Sequence, residues 1–391
     1  MSKVAGSSSP GSPGERFLNS GQSRTSGSSQ PTRTDRFDSR LRALPWWILS
    51  TGLLVVALLK GGFAVEVAAQ NPDPSFPLPE PGAVDSLSFG LPALVWLLGI
   101  QGQTSTIAIV TFALILIGYF SSAYLLVRTF DGLARTVSLI LLGLGPTITV
   151  LLGNIGRHDL LVVFGALIIG LRGYTWWGAI TGAAMMFLGN PEQTLVALTS
   201  LALLSLTPNF SQYRARVLTL GALSLGLFLV LHMWAGSVGA DSRAGWFGYH
   251  LQSSLLNFFG SAYLVLFSGY AILWILVVWR VINSRGRARL LYVLSLIAVP
   301  TLATITTMDQ TRVFIGVSTA TLFALVRVDL ETLTGQIRRL TPHAASWTLA
   351  VFFATPVLDI TYRAYQRIPF RWVYDAFVNA GLVERIGIGP W

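Results

Sequence analysis

The chain has no cysteine among its 391 residues. That excludes disulfides, thiolate metal sites, a cysteine nucleophile and a lipoprotein anchor. Charge is scarce too: Asp, Glu, Lys and Arg make up 11% of the residues, about half the share of a soluble domain. Lysine is nearly missing, with Lys3 and Lys60 the only two among 27 basic residues. No phosphate loop, HExxH, GxSxG or strand-borne GxGxxG occurs, which argues against a nucleotide-hydrolysing pump or an intramembrane metalloprotease.

Apolar residues fill the chain instead. They make up 52% of it, and many windows approach the ~20 apolar residues that cross a bilayer. Lipid offers the backbone no hydrogen-bond partners, so such runs span as helices. The alternation over ~10-residue segments that marks a β-barrel is not there. The expected fold class is all-α: a polytopic integral membrane protein of about eleven transmembrane helices, short and broken ones included.

The apolar runs fall at 45–65, 104–127, 136–152, 160–172, 174–189, 193–206, 217–235, 257–279, 290–307, 313–328 and 346–361. The stretch 91–100 is too short to span and reads as a re-entrant or interfacial piece. Residues 1–40, rich in Ser, Gly, Pro and Arg, read as a disordered cytoplasmic tail. Residues 41–361 form the transmembrane domain, and 362–391 an amphipathic C-terminal tail on the membrane surface.

The net charge of +10 fits short cytoplasmic loops better than nucleic acid, which is not an expected partner. Arg36, Arg40 and Arg42 precede the first run, so the N-terminus reads as cytoplasmic and the protein as multi-pass in a bacterial cytoplasmic membrane. Arginines then alternate sides. Arg128, Arg135, Arg172, Arg214, Arg216, Arg280, Arg285, Arg287, Arg289, Arg327, Arg338 and Arg339 fall inside, provided 160–189 breaks into two short helices at "LRGY".

Four polar clusters then share the outer face. Arg157-His158-Asp159 opens a short helix; Asp there also suits the helix dipole without further purpose. Glu192 follows Pro191 at an ordinary helix start. Asp309 and Arg312, three apart, lie on one helical face and can pair, with Asp309 capping the helix. Against that, Arg312 at a helix N-terminus opposes the dipole, and an anionic ligand would remove the conflict. His250 lies in a loop rich in glycine and aromatics, 239–250, whose Trp246 and Tyr249 suit lipid anchoring as well as sugar stacking. Glu66 begins an acidic, proline-rich outer loop, 66–88.

This plan, with "GRHDLL" and "MDQTRVF", resembles the GT-C glycosyltransferases that use polyprenyl-phosphate sugars, and polysaccharide polymerases of the Wzy and EpsG kind, over about residues 45–330. The resemblance implies sugar transfer from a lipid-linked donor to a glycan acceptor outside the cytoplasmic membrane. In that reading Arg157 and Arg312 bind the phosphate leaving group, with Glu192, His250 and Glu66 around the substrate. Asp159, Asp309 or His158 takes the acceptor proton. No cofactor is needed if arginines do this work, although Asp159, Glu192 and Asp309 could together hold Mg²⁺ or Mn²⁺. The rival readings are a transporter or flippase for a glycolipid or other anion, with charges near the midplane, and an assembly protein without chemistry.

Overall fold

The computed structural model describes residues 33–63, 65, 88–237, 243–307, 309–355, 357–361 and 363–367. Their order is α1 (Arg33–Ala43), α2 (Trp46–Gly61), α3 (Gly90–Leu97), α4 (Thr104–Val127), α5 (Gly132–Leu144), α6 (Pro146–Gly153), α7 (Asp159–Arg172), α8 (Trp176–Gly189) and α9 (Pro191–Ser205). Then come α10 (Arg214–Ser237), α11 (Arg243–Tyr270), α12 (Trp274–Ile282), α13 (Gly286–Val293), α14 (Val299–Ile305), α15 (Gln310–Leu340), α16 (Ala344–Ala354) and the strands β1 (Val357–Thr361) and β2 (Arg363–Arg367).

The all-α membrane architecture holds. Among the described residues six helical segments are long and apolar enough to cross a bilayer, or seven if α1 and α2, bent by 108°, count as one span. The eleven apolar runs are helical in whole or in part, but fewer qualify as spans. The difference lies mostly in α7, α8 and α9, of 14, 14 and 15 residues. At 1.5 Å per residue each reaches only about 21–23 Å, against a hydrocarbon thickness of about 30 Å.

The break at "LRGY" is where the pattern put it. Helix α7 ends at Arg172, and Thr175 caps α8 by accepting from the Gly178 amide at 3.2 Å. The two helices fold back as an antiparallel hairpin on small residues. A Cβ on Gly165 would lie 2.6 Å from the Gly182 carbonyl oxygen, and one on Gly182 would lie 2.7 Å from that of Gly165. Helix α7 is apolar all round and correspondingly buried, from Leu160 to Leu171.

Helix α15 runs parallel to α7. A Cβ on Gly170 would lie 2.6 Å from the Ala320 carbonyl oxygen and 3.1 Å from the Ala324 nitrogen. The core of the bundle is therefore a pair of parallel helices whose N-termini lie side by side. Helix α9 starts at the same end, and Gln193 packs its amide against Gly316 of α15. Short α3 sits there too, with Gly90 against Leu161 and Leu188 and with Leu97 and Leu98 exposed.

Three expectations need correcting. Residues 33–40 are not disordered but belong to α1, whose Asp38 pairs with Arg42 at 2.8 Å and accepts from the Ser346 backbone nitrogen at 3.0 Å. A carboxylate in the first turn of α16 is electrostatically favoured, which ties the segment down. Residues 1–32 lie outside the described residues. The last apolar run stops being helical at Ala354, and 357–367 pair as an antiparallel hairpin, so the C-terminal tail begins as sheet. The β-branched content of "VLDIT" favours that conformation. Residues 368–391 lie outside the described residues. Finally, the segment around His250 is not a loop: α11 begins at Arg243. Its isolated glycines, Gly245 and Gly248, cost a helix only about 1 kcal/mol each, which 28 residues of continuous helix absorb.

Candidate functional site

The site is built where α7 and α15 begin. Before α7 the chain makes a tight turn through Gly156, whose φ of +98° favours glycine, and the Arg157 backbone nitrogen donates to the Asn154 carbonyl at 3.2 Å. The turn presents Arg157, His158 and Asp159 in succession. His158 and Asp159 are buried, at 5% and 2% exposure. Before α15, Asp309 occupies the capping position, but its side chain makes no capping hydrogen bond. Its carboxylate serves arginines instead.

Arg312 reaches both acids. Its Nη1 donates to Asp159 Oδ2 at 3.4 Å, and its Nη2 pairs with Asp309 Oδ2. Arg157 Nη1 approaches the same Asp309 oxygen at 3.6 Å. All four side chains are 14% exposed or less. The Arg312 Nε is buried without a hydrogen-bond partner among the described residues.

The conflict between Arg312 and the helix dipole is thus met first from within the chain. Asp309 and Asp159 supply the negative charge that an anion was expected to bring. The balance is still not neutral. Two aspartates and two arginines cancel formally, and two parallel helix N-termini add roughly half a positive charge each. The helix ends lend the quartet itself positive character, and it carries arginine forks suited to phosphate or carboxylate.

The remaining expected residues lie around this cluster. Glu192 is partly buried in the first turn of α9, next to Gln193, whose amide meets α15 at Gly316, one turn past Arg312. His250, partly buried on α11, is one turn from Ser254, whose carbonyl accepts from Gln310 Nε2 at 3.0 Å. Glu66 lies outside the described residues, but its neighbour Val65 pairs with Ile155 in a parallel bridge, two residues before Arg157. The hairpin strand β1 lies beside α6, α11 and α15. Asp159, Glu192 and Asp309 do not form a metal-binding group: no set of three or more His, Asp or Glu is so placed among the described residues.

Sequence reasoning missed the buried amides of Gln193 and Gln310, which hold α9 and α11 against α15. Their only signal was position, directly after Glu192 and Asp309. It also missed a second buried ion pair, between Arg280 Nη1 and Asp329 Oδ1 at 3.1 Å, with Arg280 donating to the Tyr292 hydroxyl at 2.6 Å. Asp329 lies twenty residues along α15 from Asp309, about 30 Å, so the two clusters are separated by a length of helix comparable to the thickness of a bilayer core.

No protein-family model, curated protein or solved structure matches the chain.

Proposed function

We propose that the chain is a membrane glycosyltransferase or polysaccharide polymerase that takes sugar from a polyprenyl-(di)phosphate donor on the extracytoplasmic face. The observation that carries the reading is the convergence of Arg157, Asp159, Asp309 and Arg312 at two parallel helix N-termini. Short helices behind them favour a polar recess open to one leaflet, where a lipid-borne phosphate arrives.

In this mechanism the donor phosphate enters beside Arg312 and Arg157, which turn from Asp309 to the phosphate oxygens while Arg312 keeps its contact with Asp159. The bond from the sugar anomeric carbon to the phosphate oxygen breaks, and the arginines and helix N-termini hold the departing charge. An aspartate released from its arginine is then free to accept the proton of the acceptor hydroxyl as that oxygen bonds to the anomeric carbon. Asp309, which gives up two arginine contacts, is assigned this role. Asp159, seated at the start of α7, keeps Arg312 oriented, and His158, Glu192 and His250 line the approach.

A carrier for the same lipid-linked anion is the second reading. It is favoured by the short buried helices, which also occur at transport sites. Against it, the charged groups of α7 and α15 lie toward their ends: residues 313–326 of α15 hold no ionisable side chain. The test is in cells whose surface glycan depends on the chain. Arg312→Lys should accumulate the lipid-linked precursor and lose the glycan at normal protein level. A normal glycan in that variant would contradict the reading.

A further inference from the structure

At the end of the bundle opposite the quartet lies a cavity of about 470 Å³. Its position follows from the hairpin of α7 and α8, which returns α9 to that end, and from the Tyr213 hydroxyl, which donates to the Gly170 carbonyl at 2.7 Å. Arg214, Arg285 and Arg287 line it together with Leu206, Pro208 and Leu291, and among the described residues no acidic one does. Arg214 is engaged, since its Nε donates to the Ser205 carbonyl at 3.2 Å at the end of α9. For Arg285 and Arg287 no hydrogen bond or ion pair is found among the described residues.

Basic residues are ordinary on the cytoplasmic side of a membrane protein. That rule accounts for their presence, not for three of them meeting around one concavity of ligand size. The volume is ample for a phosphate group and part of its ester. Arg285 and Arg287 offer forked donors for the phosphate oxygens. Leu206, Pro208 and Leu291 form an apolar wall, and the exposed Leu218, Ile282 and Leu290 nearby face the surroundings of the bundle. A ligand with a phosphate on one side and hydrocarbon on the other fits both surfaces.

We infer that this cavity binds the phosphate of an anionic lipid headgroup, at the membrane surface opposite the quartet. The inference does not rest on sugar transfer, because the two sites share no residue. It assigns Arg285 and Arg287 to the headgroup, and Arg214 to holding the end of α9 as one wall.

The experiment uses the full chain in nanodiscs of phosphatidylcholine with a minor fraction of phosphatidylglycerol, and counts retained lipids by native mass spectrometry. The wild type should retain phosphatidylglycerol in preference to phosphatidylcholine. Arg285→Gln/Arg287→Gln, at two exposed side chains, should lower that preference about tenfold. Arg338→Gln/Arg339→Gln removes the same charge near the same surface, outside the cavity, and should leave the preference intact. Equal retention by the wild type and the first double variant would overturn the inference. So would an equal loss in the second, which would make it general surface charge. A separate arm titrates inorganic pyrophosphate in pure phosphatidylcholine discs and follows thermal unfolding. A stabilisation that depends on Arg285 and Arg287, without preference for phosphatidylglycerol, would make the ligand a soluble phosphate and overturn the lipid assignment.

Discussion

Asp159 and Arg312 are separated by 153 residues, yet Arg312 Nη1 lies 3.4 Å from Asp159 Oδ2 while its Nη2 pairs with Asp309. One guanidinium ties the beginnings of α7 and α15 together. An arginine of this kind has two uses. It can be a structural clasp, or a fork waiting to exchange a carboxylate for a phosphate.

Arg312→Lys keeps the charge and loses the fork. A lysine cannot span Asp159 and Asp309 in the same plane, nor grip a phosphate with two parallel donors. Turnover should fall about 10²–10³-fold, the usual cost of losing one well-aimed donor to a developing charge. Unfolding should be less affected, by about 1–2 kcal/mol. A variant with normal turnover and strongly reduced stability would mark Arg312 as a clasp only.

Asp309→Asn should act in two directions. It removes the proposed base, so turnover should be lost. It also removes a negative charge from a cluster already positive by two helix ends, so affinity for anions should rise. Thermal unfolding with added pyrophosphate reads the second effect. The variant should be less stable than the wild type without the anion and gain more from it. Equal gains would show that the aspartate and the anion do not compete for the same arginines.

Gly170→Ala tests the parallel packing. The added methyl would meet the backbone of α15 at Ala320 and Ala324, which cannot move aside as a side chain would. The helices should separate by a fraction of an ångström, at a cost of about 1–3 kcal/mol. Activity should fall with it, because Asp159 and Arg312 sit on the two displaced helices. Gly221→Ala on α10, where nothing lies within 4 Å of the added Cβ, should change neither. If Gly170→Ala leaves both melting temperature and activity unchanged, α7 and α15 do not pack as described.

Topology can be checked directly because the chain has no native cysteine. Ser75→Cys and Ala244→Cys should react with an impermeant maleimide in intact cells. Asn283→Cys, at the end of α12, should react only after permeabilisation. Labelling of position 283 from outside would place the quartet on the cytoplasmic face and remove the extracytoplasmic reading.

The sequence made some of this legible and hid the rest for definite reasons. Arg172 and Gly173 punctuate an apolar stretch, so the α7–α8 break could be read locally. Asp309 and Arg312 stand three apart, so their pairing could be read as well. The partnership of Arg312 with Asp159 could not, because it depends on α7 and α15 lying parallel, and that follows from close packing at Gly170. The capping role expected of Asp309 failed for the same reason: once α7 brought Arg157 alongside, its carboxylate had stronger partners than backbone amides. The hairpin 357–367 followed an apolar run that looked helical, and only the β-branched content of its first strand pointed the other way.

The most direct test of the central claim is reconstitution. The purified chain is placed in liposomes with a fluorescent polyprenyl-diphosphate-linked sugar and a glycan acceptor. The products are separated by whether the label stays on lipid, moves to acceptor or changes leaflet. Label should appear on the acceptor with release of polyprenyl diphosphate, abolished in Asp309→Asn and strongly reduced in Arg312→Lys. Intact labelled lipid crossing the bilayer, with no label on any acceptor, would contradict it and establish a carrier.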